Sequence, residues 1–304
     1  MSDLPGQLIT DSGAEDRASR TLLADAWYDL RRNKVFWVSG ALLVVVLLMV
    51  AFPSLFASQD ATSSLSGGCI LADSLQPPSS EFKMGTDQQG CDVYSLSVYG
   101  ARTSVLVGIV AAVATTLVGA FIGLVAGYFG GVVDSGISRL IDIFLGVPYI
   151  LGAIVLLTAI DLPGAVGVVL ALALLSWPLD ARLIRGKVLE AKAQDYTVAA
   201  RALGASNWRI MTRHILPNAI GPTIVVAVIS LGLYIGAEAT LSYLGLGIQP
   251  PDFSWGTMIA DAQSFFFRAP WALFAPAGFL TVTVLAFILL GEAVSEALDP
   301  KMRK

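Results

Sequence analysis

Between Thr103 and Val133 the chain runs for 31 residues without a charged side chain. About 20 consecutive apolar residues cross the hydrocarbon core of a bilayer as a helix. A stretch this long cannot be an ordinary amphipathic element of a soluble fold. The rest of the chain agrees. Of its 304 residues, 55% are hydrophobic and only 14% charged, with a mean hydropathy of +0.72, whereas a soluble domain carries about 25% charged residues. The bilayer is therefore the natural solvent for most of this sequence.

Six apolar runs are long enough to span: Val35–Phe56, one inside Thr103–Val133, Ile143–Ile160, Leu162–Leu179, about Ala219–Leu241 and Ala269–Gly291. Asp161-Leu162-Pro163-Gly164 reads as a tight turn between the third and fourth. Without water, each backbone N–H and C=O in a span must be paired internally, so the spans are expected to be helices. The fold class is thus an all-α, polytopic membrane helix bundle with six transmembrane helices. The first run is too long for a signal peptide's core, and residues 1–34 are too acidic for a secretory leader. It reads as an uncleaved span, with cleavage after Ala57 as the alternative.

Lys and Arg placement orients the bundle. Segments 1–34, 128–142, 181–218 and 292–304 hold five, one, seven and three basic residues, leaving only Lys83, Arg102 and Arg268 for the other side. Both termini and segment 181–218 are therefore expected in the cytoplasm. The organisation that follows is a cytoplasmic segment 1–34, a first span 35–56, an extracytoplasmic loop 57–102, a permeating core 103–293 and a cytoplasmic tail 294–304. A second outer loop, about 245–270, has room for a short helix.

The segment 181–218 is a polar, basic island in an apolar chain. Leu183, Val188 and Leu189 suggest that the fourth span extends into it as an amphipathic helix. Asp195 can cap the next helix by accepting from free backbone N–H groups. Ala199, Ala200 and Ala202 are small helix formers, and Gly204 permits the positive φ of a helix end. Ser206 or Asn207 then restarts a helix toward Pro217. A short helix, a turn and a second helix returning to the bilayer suit docking to a partner; a basic loop resting on anionic lipid suits the same residues.

Other features are less specific. Gly119, Gly123 and Gly127 recur every four residues on one helix face and allow close backbone approach, either within the bundle or at a subunit interface. Gly232 and Gly236 repeat the spacing in the fifth span. Glu238 is the only acid in that span. With Tyr234 and Ser230 it is a candidate for a translocation path or gate, or else it pins the loop that follows. Cys69 and Cys91 share the outer loop and are the only cysteines. In an oxidising compartment they are expected to pair, with two free thiols as the alternative. The lone His214 has no evident partner for catalysis or metal binding, and a capping or docking role fits it better.

Several classes are excluded. The net charge of −4 is wrong for a nucleic-acid binder. One histidine and two cysteines make no ordinary structural zinc site, so no metal is expected. No G-x-x-x-x-G-K-[ST] run is present, so the chain is not expected to bind nucleotide through a Walker A loop. A self-sufficient channel or carrier, or a membrane-embedded enzyme, remain alternatives. The first would ordinarily place ionisable groups mid-membrane; the second lacks a nucleophile–base pair.

With these residues in view the sequence resembles permease subunits of the dipeptide/oligopeptide/nickel class of ABC importers. Ala199-Ala200, Gly204 and His214-Ile215-Leu216-Pro217 match the family's EAA signature, with Val198 where Glu is usual. Met84-Gly85-Thr86-Asp87-Gln88-Gln89-Gly90-Cys91-Asp92 matches the family's L-G-T-D-x-x-G-R-D segment, with Cys91 in place of Arg. Tyr99 to Ser104, Gly127-Tyr128-Phe129-Gly130-Gly131, Trp177-Pro178, Glu238 to Gly247 and Leu298-Asp299-Pro300 extend the match over nearly everything from residue 30 onward. The resemblance is to the second of two permeases, the one with a large loop after its first span. It implies a second homologous permease, two ABC ATPase subunits that bind ATP and Mg, and an extracytoplasmic substrate-binding protein. It also implies no cofactor or catalytic residue in this chain. Asp195, Tyr196, Ala199, Ala200, Arg201, Leu203, Gly204, Arg209 and His214 would form the ATPase-coupling segment. The cargo expected is a di- or oligopeptide, moved by alternating access; membrane lipid is the other partner, and nucleic acid is not.

Overall fold

The structure, a computed structural model, describes residues 22–57, 69–160, 162 and 164–298. Asp161 and Pro163 of the expected turn, and Asp299 and Pro300, lie outside those residues. Among the described residues helices are the main regular structure, joined by a largely non-helical loop over residues 69–92 and shorter connections. Helix α1 is Leu22–Arg32 and α2 is Lys34–Ala51. Asn33 separates them, its side chain accepting from the N–H groups of Val35 and Phe36. Helix α3 is Val93–Phe129, α4 Gly131–Leu145, α5 Tyr149–Ile160 and α6 Ala165–Lys192. Helix α7 is Asp195–Ala202, α8 is Asn207–Tyr243, α9 is Trp255–Ala262 and α10 is Trp271–Leu298.

Five helices (α2, α3, α6, α8 and α10) are long and apolar enough to cross a membrane, and α4 with α5 makes a sixth if that bent pair is one span. The bend is 88° and has a local cause. Pro148 has no N–H to continue the ladder of α4, and its ring restricts Val147. The run expected as one span over Ile143–Ile160 is therefore broken at Gly146-Val147-Pro148.

Two other helices exceed their apolar runs. Helix α3 begins at Val93, well inside the stretch read as loop. Asp92 caps it, accepting from the N–H groups of Tyr94 and Ser95. Its early polar residues Ser95, Ser97 and Ser104 are buried, so they face protein rather than lipid. At 1.5 Å per residue its 37 residues reach about 55 Å, against a hydrocarbon core of about 30 Å. Helix α6 continues past the expected end at Leu179 to Lys192. Of Leu183, Val188 and Leu189, which suggested an amphipathic extension, only Val188 is fully buried, Leu183 is half-buried and Leu189 is 40% exposed; the buried face of the extension runs through Ile184 and Val188.

Helix α8 contains a π-helical segment, Ile210–Ile215, before Leu216-Pro217. Pro217 donates no backbone hydrogen bond and crowds the carbonyl one turn back, which suits the wider turn there.

Glycines set the closest helix contact. A Cβ on Gly119 would meet Asp180 Cβ at 2.5 Å, on Gly123 the carbonyl of Ala181 at 2.5 Å, and on Gly127 the Val188 side chain at 2.8 Å. The three therefore pack α3 against α6 inside this chain. Gly232 does the same between α8 and α10, while Gly236 has nothing within 4 Å.

Candidate functional site

Helices α3 and α6 run side by side, and both end where α7 begins. Helix α8 returns from there. Beneath α7 lies a buried cluster built from Leu124 and Tyr128 of α3, Ile184, Val188 and Ala191 of α6, Ala200 of α7, and Ile210, Met211, Ile215 and Ala219 of α8. This core holds a short helix that could not persist alone in water.

Helix α7 has two faces. Thr197 and Ala200 point inward, and the Thr197 hydroxyl donates to the Ala191 carbonyl at 2.8 Å. Tyr196, Val198, Ala199, Arg201 and Leu203 face out. Ala200 thus belongs to the chain's own core, and only Ala199 of the alanine pair presents a small surface outward. Asp195 is the first residue inside the helix rather than its cap; Gln194 holds the cap position without a side-chain bond. There Asp195 favours the positive end of the helix dipole. The turn that follows has Gly204 at φ +78°, a conformation that disfavours any side chain. Ser206 caps the next helix, its hydroxyl accepting from the Arg209 N–H at 3.4 Å. The carbonyl of the half-buried His214 accepts from the Asn218 amide at 2.8 Å.

What this end leaves uncovered is apolar. Leu203 is 88% exposed and Trp208 68%, beside Val198 at 56% and Tyr196 at 41%. Arg201 and Arg209 flank them. Behind, Arg185 of α6 pairs with both carboxylate oxygens of Asp134, and Arg182 with Asp142 at 2.6 Å. These ion pairs fix α4 along α6.

The opposite end is closed by polar links. Cys69 and Cys91 form a disulfide with Cα atoms 4.7 Å apart. Thr86 is fully buried, its hydroxyl donating to the Asp73 carbonyl and accepting from Gln76 N–H, while its carbonyl accepts from the Trp271 indole. The fully buried Trp255 donates from its indole to the Ser97 carbonyl at 2.8 Å and from its backbone to Ser104 Oγ at 3.2 Å. Ser254 and Thr257 form a reciprocal cap at the start of α9. A cavity of about 760 Å³ opens here, lined among others by Asp87, Asp261, Tyr243, Gln249 and Phe253. Burial pushes the Asp87 and Asp261 carboxyls above their ordinary values.

Glu238 lies at this end, wholly buried. Ser242 Oγ donates to its Oε1 at 2.7 Å and itself accepts from the Ile248 N–H at 3.0 Å. The hydroxyls of Ser104 and Ser254 stand beside the same carboxyl, but Oε2 makes no well-formed hydrogen bond among the described residues. Glu238 thereby connects α8 to α3 and to the loop leading into α9. Tyr234 is also buried, with Thr115, Ser176 and the half-buried Ser230 around its hydroxyl and Asp180 nearby. Asp180, 3% exposed and accepting from Thr116 Oγ1 at 3.3 Å, was not anticipated. The fourth span is expected to stop at Leu179, one residue short of Asp180, whereas α6 runs on to Lys192.

Long spans, a short helix with an exposed apolar face at one end and a disulfide-braced cap at the other define a membrane-embedded subunit. The comparisons say which kind. Residues 119–304 match the model of the binding-protein-dependent transport system inner membrane component. Residues 21–78 match the N-terminal TM domain of oligopeptide transport permease C. The chain belongs to this family of transport permeases. It is 36% identical to the oligopeptide transport system permease protein OppC of Bacillus subtilis, with all of both chains covered. It is 38% identical to the dipeptide permease DppC of the same organism, over 95% of this chain and 88% of that one. To the glutathione transport system permease GsiD of Pectobacterium atrosepticum it is 37% identical, over 95% and 94%. In fold it resembles the MetNI methionine ABC transporter in an inward-facing conformation, with a TM-score of 0.54 at 20% identity, over 67% of this chain and 96% of that chain.

Proposed function

We propose that this permease forms a peptide translocation path with a second, homologous permease, and that the Asp195–Arg209 segment receives the ATPase that drives it. The carrying observation is the set of uncovered apolar side chains on a short helix and the turn after it, Tyr196 and Val198 on α7, Leu203 just past its end and Trp208 in the first turn of α8, at the ends of the long helices. Such a patch marks a partner interface, and Arg201 and Arg209 beside it suit an acidic rim. ATP and Mg are bound by two ATPase subunits, and an extracytoplasmic binding protein delivers the cargo to the disulfide-braced end. ATP binding draws the ATPases together, α7 moves with them, and the bundle alternates between inward and outward openings. Di- or oligopeptide cargo follows the similarity to the OppC and DppC permeases.

A path between two permeases is lined by surface that a single subunit leaves open. Ser230 keeps some open surface, whereas Tyr234 and Glu238 act from within, shaping the wall rather than touching cargo.

Leu203→Glu tests the docking face without disturbing the core. The chain should insert normally, yet co-purification of the ATPase and uptake should each fall by tenfold or more, since a buried unpaired charge costs several kcal/mol. Normal ATPase recovery would show that the patch rests on lipid instead. Sidedness is tested by labelling Ser79→Cys and Ser206→Cys with an impermeant thiol reagent in a chain lacking Cys69 and Cys91. Only the first should react from outside; equal reaction would overturn the topology.

A further inference from the structure

Coupling requires that a displacement of α7 reach the long helices, and apolar packing alone transmits a pull poorly because its contacts can slip. One residue supplies a directional link. Tyr128 is the penultimate residue of α3, 5% exposed, with its ring in the cluster beneath α7. Its hydroxyl donates to Oδ1 of Asn207 at 2.7 Å, joining residues 79 apart in sequence. Asn207 opens α8, directly after the Gly204 turn and the Ser206 cap. The Tyr128 carbonyl accepts from Lys192 Nζ at 2.5 Å, and the same ammonium stands 5.7 Å from the ring centroid. Lys192 closes α6. The ends of α3 and α6 and the beginning of α8 thus meet on a single residue, α6 through its carbonyl and ring face and α8 through its hydroxyl.

Gly127 reinforces the arrangement. It lets α3 approach Val188 closely enough that any side chain there would overlap it, so the Tyr128 backbone is fixed against α6. From this platform the phenol reaches across to the loop. Thr197 makes the complementary tie, from α7 to the end of α6.

We propose that Tyr128 is a positioning residue that carries movement of the coupling segment into α3 through its hydrogen bond to Asn207. This rests on the reading of Asp195–Arg209 as the ATPase-coupling segment. Tyr128→Phe keeps the ring, its burial and the Lys192 contacts, and deletes only the bond to Asn207. Asn207→Ala deletes it from the other side.

The experiment uses the whole complex, purified with its partner subunits and reconstituted in vesicles. ATP hydrolysis is measured together with uptake of a tryptic casein digest, read by mass spectrometry of vesicle contents. Tyr128→Phe should co-purify with the ATPase in normal amount and hydrolyse ATP within about twofold of the wild type. Uptake per ATP should fall about five- to tenfold, the range expected from one buried hydrogen bond. Asn207→Ala lies in the docking segment and is read only for uptake per ATP: that ratio should fall by the same factor, and in the double variant it should be no worse than in either single one, because both remove one interaction. A purely structural role would instead lower assembly, hydrolysis and uptake together, and that result overturns the proposal, as does an unchanged ratio or additive losses. A wild-type complex that takes up no peptide, or that contains no ATPase, would overturn the underlying functional reading and this inference with it.

Discussion

The two ends of this bundle are held by different physics. At the end that carries Cys69, Cys91, Trp255 and Glu238, one disulfide and a run of hydrogen bonds tie the loop over residues 69–92 to α10, α9 to α3, and α8 to the loop that follows it. Each link is directional, and breaking any of them strands a polar group away from water, which costs about 1–3 kcal/mol. At the end that carries α7, the short helix itself is seated on one apolar cluster and tied by the Thr197 bond to α6, while the polar links of Tyr128 to Asn207, Lys192 to Tyr128 and Arg185 to Asp134 lie among the long helices beneath it. A transporter that is driven from one end needs this asymmetry. On the proposed reading of α7 as the driven end, that end shifts with its partner while the other keeps its shape, and regions that move are drawn from the less cross-linked parts of a fold.

The contrast breaks most visibly at Trp255. It is fully buried and anchors α9 to α3 through two hydrogen bonds. Trp255→Ala should destabilise the outer end by about 3–5 kcal/mol, read as a drop in thermal unfolding temperature in detergent and as new proteolytic cleavage between residues 245 and 270. Intact protection there would mean that the outer cap does not depend on its polar links. Cys69→Ser comes next. The bridge closes a sequence separation of 22, and its loss should cost the loop about 3 kcal/mol in the chain-entropy model. The expected sign is faster amide exchange over residues 70–92 with no change over 195–215. Equal acceleration at both ends would show that they are one cooperative unit.

The two ends were also unequally legible in the sequence. The segment 181–218 stood out because charge is rare elsewhere, and Gly204 marked its turn. The disulfide was expected from the cysteine count and from reading their shared loop as extracytoplasmic, with two free thiols as the alternative. Other features are hidden for physical reasons. The break before Tyr149 does not change hydropathy, so an apolar run passes through it; Pro148 was its only signal. The early start of α3 is disguised because Ser95 and Ser97 look like loop residues until their burial is seen. The link from Tyr128 to Asn207 spans helices whose pairing no local pattern specifies. Ala200 shows the limit of a motif: the signature locates α7, but only the packing decides which alanine faces the chain's own core.

The smallest expected effect sharpens the picture of the rigid end. Asp87 accepts from the backbone N–H groups of Gln89 and Cys91, each at 2.8 Å. Burial nevertheless pushes its carboxyl above the ordinary value, and the neighbouring Asp261 pushes the same way. An acid whose folded value is raised holds its proton more tightly in the native chain than in the unfolded one. The native state then loses stability as pH rises through the window between those two values. At neutral pH the charge on Asp87 is therefore a cost, and Asp87→Asn removes it while keeping an oxygen to accept from both N–H groups. Thermal unfolding at pH 7 should find the asparagine variant slightly more stable, by up to about 0.5 kcal/mol. That gain should vanish near about pH 3, where the wild-type carboxyl is also neutral. A clear loss at pH 7 would mean that the two N–H groups need a full negative charge. The outer loop would then be braced by electrostatics as well as by covalent and neutral polar links, and it would soften on acidification rather than tighten.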